Sequence, residues 1–402
     1  MQTALAEFAR TSSQGQTAEQ ILRTCVHCGF CNATCPTYQV LGNELDGPRG
    51  RIYMMKAMLE GEATTRATML HLDRCLTCRN CETTCPSGVK YGELLEIGRE
   101  MVEARIARPW PQRWARWLLR QIIPHRVRFT ALLRLGQFVR FALPPALKRR
   151  IPAYQRAPTW PPRQHARTML ILEGCAQPAL APRINAVTAR VLDRLGIGLV
   201  RASNEVCCGA ASYHTSGQAE ALDFARKNID AWWPHVEAGA EAIVMTASGC
   251  GVFVKDYGHL LKDDSAYAFK AKRVSELTKD LSEVLTKEDV SKLTPAQPNL
   301  KVAFHSPCTL QHGQKLNGTV EKLLRQLGYR LTHVPDVHLC CGSAGTYSIL
   351  QSKIAGELKK NKVEALVSGK PEVIATANIG CLTHLQSGSP MPVLHWVELV
   401  GV

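Results

Sequence analysis

The sequence predicts a multidomain α + α/β protein: a helical cysteine-rich domain followed by two repeated α/β lobes. Three observations carry this. Two cysteine runs of identical spacing stand in the first 100 residues, with helical periodicity around them and no strand pattern. A basic stretch punctuated by prolines follows. Residues 168–402 then repeat themselves, strand patterns alternating with helix patterns. The chain has 402 residues, 45% of them hydrophobic, enough for two or three domains with real cores.

The first run is Cys25-Val-His-Cys28-Gly-Phe-Cys31-Asn-Ala-Thr-Cys35-Pro36, and the second is Cys75-Leu-Thr-Cys78-Arg-Asn-Cys81-Glu-Thr-Thr-Cys85-Pro86. Both read C-x2-C-x2-C-x3-C-P. Each C-x2-C step lets neighbouring thiolates converge on one small centre. Thiolates so close repel unless positive charge lies between them, and iron ions supply it. The proline blocks helix continuation after each fourth cysteine. Structural zinc would ask for one tetrahedral set; two triplet-plus-one runs suit two cubanes better. The pattern resembles the two-cluster bacterial ferredoxins. That resemblance implies that each fourth cysteine serves the other centre: Cys25, Cys28, Cys31 and Cys85 in one, Cys75, Cys78, Cys81 and Cys35 in the other. His27 is expected beside a cluster or at the surface rather than as a ligand. Arg79 and nearby amides are expected to raise potential. Ile52, Met55 and Leu59 share one helical face, a second helix is expected over Leu94 to Ile106, and Asp46-Gly-Pro-Arg-Gly-Arg51 reads as a turn into the first helix. Residues 1–100 thus resemble the helical ferredoxin domain of succinate dehydrogenase-type iron–sulfur subunits rather than the small β-containing ferredoxin.

Residues 101–167 form a basic linker. Fifteen Lys/Arg against Glu103 alone account for nearly all of the net +15. Trp110, Trp114, Trp117 and Leu118 lie on one helical face with Arg113, Arg116 and Arg120 interleaved; Leu132, Leu135, Phe138, Val139 and Ala142 mark a second amphipathic piece. Such a segment can dock an acidic partner, pack its apolar face on the protein, lie in a membrane interface, or, last in order, contact nucleic acid. No run approaches the ~18–20 apolar residues of a membrane span, and Met1 to Gln20 lacks the apolar stretch of a signal peptide. Sixteen cysteines suit a reducing compartment, where they serve as ligands. The expected place is the cytoplasm, including the cytoplasmic face of the inner membrane as a peripheral site.

The repeat defines two lobes, residues 168–285 and 300–402, joined by a connector. In the first, a strand over Thr168 to Leu172 leads to Cys175; Cys207-Cys208-Gly209 follow, then a strand over Ala242 to Ala247 and Cys250. In the second, a strand over Val302 to His305 leads to Cys308, then Cys340-Cys341-Gly342, a strand over Val373 to Ala377 and Cys381. The first cysteine precedes the pair by 32 residues in both copies. Glu276-Leu277 and Glu398-Leu399 read as matching ends. The outer cysteines fall just past strand ends, where α/β sheets hold ligands. The copies resemble the paired CCG domains of heterodisulfide reductases, which can hold non-cubane clusters. They depart from that pattern, because Phe253 and His384 stand where a fifth cysteine would. A further cluster on Cys175, Cys207, Cys208, Cys250, Cys308, Cys340, Cys341 and Cys381 therefore stands beside the alternatives of structural cysteines or zinc. His384 or His395 stands either as a substitute ligand or as a packed histidine.

No dinucleotide fingerprint, phosphate loop or H-E-x-x-H is present, so a hydride must be taken by a flavin on another polypeptide. The order of domains, with Leu45-Asp-Gly-Pro-Arg-Gly-Arg-Ile-Tyr53, Leu172-Glu-Gly-Cys-Ala-Gln-Pro178 and Asn228-Ile-Asp-Ala-Trp-Trp-Pro234, resembles the iron–sulfur subunits of flavin-dependent hydroxy-acid and glycerol-3-phosphate oxidoreductases. Within that group it is most similar to the bacterial glycolate oxidase iron–sulfur subunits. The resemblance implies an electron relay with two [4Fe–4S] clusters and no catalytic residue of its own. It implies FAD on partner flavoprotein subunits that take glycolate to glyoxylate, and a quinone or similar acceptor. The subunit would be inactive alone and bind no nucleic acid. Relays for lactate or glycerol-3-phosphate, and an iron–sulfur nucleic-acid protein, are the alternatives.

Overall fold

The computed structural model describes residues 1–144, 148, 151–162 and 165–401. Linker positions Pro145, Ala146, Leu147, Arg149, Arg150, Arg163 and Gln164, and Val402, lie outside the described residues. Two compact units are present: Met1–Ala115 with His338–Lys362, and Arg116–Val337 with Val363–Val402. Part of the second repeat, including Cys340 and Cys341, therefore belongs to the first unit.

The first unit is helical. Its main helices are α1 (Ser13–Thr24), α2 (Pro48–Leu59), α3 (Arg66–Asp73) and α4 (Tyr91–Arg105), and residues 1–100 contain no strand. Local chemistry sets their starts. The Ser12 side chain accepts from the Gly15 amide, Pro48 opens α2, and Thr65 and Thr68 cap α3 reciprocally. Leu22, Met55, Leu59, Leu72, Leu94 and Leu95 are buried in one core, each such side chain contributing roughly 1.5–3 kcal/mol. Gly98 lets α4 approach α2 closely: a Cβ there would lie 2.5 Å from Met55 Sδ. The second-repeat segment is tied in at Arg74, just before the second cysteine triplet, and at Asn80, within it. Tyr347 Oη donates to Arg74 O (2.9 Å), and Asn80 Nδ2 donates to His338 O (3.2 Å).

The second unit holds two four-stranded parallel sheets of the same order. Strands β1 (Arg167–Ile171), β2 (Ile197–Arg201), β3 (Ile243–Met245) and β4 (Thr278–Asp280) lie as β2-β1-β3-β4. Strands β5 (Lys301–His305), β6 (Arg330–Leu331), β7 (Val373–Thr376) and β8 (Val393–His395) lie as β6-β5-β7-β8. Leu170 pairs with Ile243 and Val302 with Val373, so the strands named from sequence are the central pair of each sheet. The flanking strands carry little sequence signal because they are short or only half apolar. One core runs through both sheets, from Ile171 and Val244 to Phe304 and Trp396.

The ends of the copies need a correction. Asp280 begins the closing turn of the first copy, reciprocally capped by Glu283; His395 begins that of the second, capped by Glu398. The counterpart of Glu398 is thus Glu283, not Glu276.

The linker forms helices α5 (Trp110–Ile122) and α6 (Arg126–Phe138). Trp110, Trp114 and Trp117 are 76%, 56% and 48% exposed, while Arg116 between them is buried. That arrangement disfavours the reading in which the tryptophan face packs on the protein. Arg126 Nη1 pairs with Glu173 Oε2 at 2.8 Å and fastens the start of α6.

Candidate metal centres

The two cysteine runs fold alike. His27 and Gly29 in the first, and Thr77 and Arg79 in the second, take the left-handed conformation at φ +59°, +89°, +53° and +56°. These turns at matching places curl each loop inward, and the Thr77 amide donates to Cys75 Sγ at 3.5 Å. The first triplet and Cys85 line one pocket of about 450 Å3, partly open to solvent, with Cys81 also on its wall. Burial, followed by the neighbouring Cys25, pushes the Cys31 thiol up to about 11. Cys81 is raised by burial and then by Cys78, Cys75 and Cys35. The structure thus gathers the eight cysteines as Cys25, Cys28, Cys31 with Cys85, and Cys75, Cys78, Cys81 with Cys35. Crowded, buried thiols of this kind resist ionisation until a cation arrives. The soft four-sulfur sets therefore fit iron–sulfur clusters.

The surroundings of the two sets differ. Cys28 is exposed, with Val26 and Phe30 beside it at 69% and 62% exposure. Cys35, Cys75 and Cys81 are buried. The segment read as a turn holds a buried polar network. Asp46 accepts from Arg74 Nη1 (2.8 Å) and bonds His71 Nδ1 (2.9 Å). Arg51 Nε donates to His71 O (2.8 Å) and Nη2 to Thr37 Oγ1 (3.2 Å). Sequence spacing holds no sign of this network, because its members come from three separate segments, around Thr37, Asp46–Arg51 and His71–Arg74. His27 stacks obliquely on Tyr53, with ring centroids 6.2 Å apart.

In the first α/β copy, Cys175, Cys207, Cys208 and Cys250 come together. Cys207 Sγ lies 3.5 Å from Cys175 Sγ. Hydrogen bonds with neighbouring thiols, then burial, push Cys207 and Cys250 up, while Cys208, bonded to both, is lowered. Cys250 stands in the first turn of α7 (Ser248–Lys255), directly after β3. The pair is fixed from behind: Asn228 Nδ2 donates to Cys207 O (2.9 Å) and Tyr257 Oη to Cys208 O (2.6 Å). Phe253 is buried and packs edge-on against Tyr257 at 5.9 Å, filling with an aromatic ring the place of a fifth thiol. This set also fits a metal–sulfur group.

In the second copy the four cysteines are divided between the compact units. Cys308 follows β5, and Cys381 stands in the first turn of α8 (Ile379–Gln386), where Asn378 Nδ2 donates to its sulfur at 3.5 Å. Cys340, in the helical unit, accepts from the Gly342 amide at 3.4 Å. His395 is fully buried, its Nε2 bonded to Thr246 O (2.8 Å) and its Nδ1 accepting from the Val397 amide (3.3 Å). With both nitrogens engaged it is a packed histidine. His384 lies in the last turn of α8, half-buried.

Comparison with known proteins follows the same divisions. Residues 21–89 match the 4Fe-4S dicluster domain family, and residues 169–255 and 302–386 each match the cysteine-rich domain family named for its CCG motif. The glycolate oxidase iron-sulfur subunit of Escherichia coli (strain K12) is 58% identical over 401 residues, spanning 100% of this chain and 98% of its own. The probable glycolate oxidase iron-sulfur subunit of Bacillus subtilis (strain 168) is 30% identical, spanning 95% and 91%. Lactate utilization protein A of Bacillus licheniformis is 28% identical but spans only 56% of this chain. With this likeness running end to end through the dicluster domain and both CCG copies, the chain belongs to the glycolate oxidase iron-sulfur subunit family.

Proposed function

We propose that this chain is the electron-transfer subunit of a flavin-dependent glycolate-oxidising complex, passing electrons from FAD on partner subunits to a quinone-type acceptor. The observation that carries the reading is the gathering of eight cysteines into two adjacent sets of four in a chain that spans 98% of its Escherichia coli relative. Cys25, Cys28, Cys31 and Cys85 would hold one [4Fe–4S] cluster, and Cys75, Cys78, Cys81 and Cys35 the other. Such clusters supply reversible one-electron chemistry. Cys175, Cys207, Cys208 and Cys250 would hold a further metal–sulfur group. Exposed Cys28, with Val26 and Phe30 around it, is the natural side for exchange with a redox partner. No helix among the described residues is long and apolar enough to cross a membrane. The basic helices with exposed tryptophans would serve peripheral contact with the cytoplasmic face of the inner membrane.

Iron and sulfide counting with electron paramagnetic resonance on anaerobically purified complex tests the cluster content. About eight irons per chain are expected from the ferredoxin-type sets, and about twelve or more if the CCG copies are loaded. Zinc without acid-labile sulfide would sink the reading. Activity of the reconstituted complex on glycolate, lactate and glycerol-3-phosphate tests the substrate. A lactate relay is the second reading, supported by the partial likeness to lactate utilization protein A.

A further inference from the structure

The structure assigns to Arg51 the role of a positioning residue for redox potential: a buried guanidinium that favours electron residence on the inner set, Cys75, Cys78, Cys81 and Cys35. This rests on the proposed ligation of a cluster by that set.

Arg51 is 1% exposed, on the buried face of α2. A charge in such a place is costly unless paired and hydrogen-bonded. Two of its contacts are to neutral acceptors, His71 O and Thr37 Oγ1. Its carboxylate, Asp46, is 3.7 Å from Nη2 and is shared with Arg74 at 2.8 Å. Two guanidinium groups against one carboxylate leave one net positive charge. That charge faces the inner set. Thr37 Oγ1, which accepts from Arg51, lies 3.2 Å from Cys35 Sγ. Burial works against the guanidinium charge, whereas Tyr91, Cys75, Cys35 and Asp46 work in its favour. Tyr91 Oη in turn donates to Cys75 Sγ at 3.7 Å.

Reduction adds negative charge to a centre already made negative by its thiolates. In a buried site this is unfavourable, and a fixed cation nearby offsets it with little solvent screening. The cations nearest the outer set are less buried than Arg51: the Met1 ammonium, which donates to Cys25 O at 2.6 Å, is only half-buried. Arg49, beside Gly29, is 37% exposed and paired with Glu44 at 2.7 Å, so solvent and its own counter-ion blunt its field. The asymmetry favours electrons on the inner set over the outer one.

The test is a redox titration of the holoprotein in its complex, followed by electron paramagnetic resonance, on wild type, Arg51→Gln, Arg51→Lys and Asp46→Asn. The inner signal is the one altered by Cys78→Ser. Arg51→Gln is expected to lower the reduced-to-oxidised ratio of the inner centre at least tenfold at fixed applied potential, a shift of about 59 mV for one electron. Arg51→Lys should restore most of that ratio. Asp46→Asn should raise it, because the counter-charge is gone, and the outer centre should move in none of them. A loaded Arg51→Gln protein with an unchanged ratio overturns the inference. So does Asp46→Asn moving the ratio downward, which a merely structural role would produce; this second variant decides the matter if Arg51→Gln loses its iron. Wild-type protein lacking the inner cluster would overturn the ligand assignment, and this inference with it.

Discussion

Gly209 and Gly342 each follow a buried cysteine pair at φ +98° and +86°. A Cβ at Gly209 would lie 2.8 Å from Ala221 O, and one at Gly342 2.9 Å from Ala355 O. Both the dihedral and the space therefore demand glycine. Gly209→Ala is expected to destabilise the protein by about 1–3 kcal/mol from strain alone, seen as a lower unfolding midpoint; an unchanged midpoint would show that the loop relaxes freely. Cys85→Ser is expected to damage the centre of Cys25, Cys28 and Cys31 while sparing the Cys75 set. Loss of the inner signal instead would refute the crossed grouping. These cysteines and glycines were legible from spacing alone. Arg51 was not: it stood in a stretch that read as a turn, and nothing local distinguishes a buried arginine from a surface one.

The closing turns of the two α/β copies show how one element carries different chemistry. Asp280 and His395 hold the same capping place. Burial raises Asp280 to about 6 and lowers His395 to about 4. The native state binds the Asp280 proton more tightly than the unfolded chain does. Its contribution is full below pH ~4 and is lost as pH rises toward 6. Native His395 binds its proton less tightly; its contribution is full above pH ~6.5 and is lost as pH falls toward 4. Each amounts to about 3 kcal/mol at most, with opposite slopes over nearly the same window. Asp280→Asn, which keeps the cap, should therefore make stability rise more steeply between pH 4 and 6. His395→Asn should make it fall there. Unfolding midpoints across this range check both, and parallel curves for the two variants would show the terms to be absent. The repeat itself was visible in the cysteine spacing. The equivalence of Asp280 and His395 was not, because the two side chains share no chemistry and only the sheets align them.

At the scale of the molecule, the linker helices present tryptophans outward on a strongly basic segment. Replacing Trp110, Trp114 and Trp117 together with alanine should weaken sedimentation with anionic vesicles several-fold and leave iron content intact. Binding equal to wild type would remove the membrane role and favour docking of an acidic protein. The sequence by itself determined the iron–sulfur character and the duplicated α/β architecture, because cysteine spacing and hydrophobic period are local signals. Tertiary structure decided which repeat segment joins the helical unit, which strands flank each sheet, which face of the linker meets solvent, and that Arg51 stands behind the inner thiolates. Each of these depends on contacts between residues far apart in the chain, where burial fixes the worth of a charge or a ring and no local pattern records it.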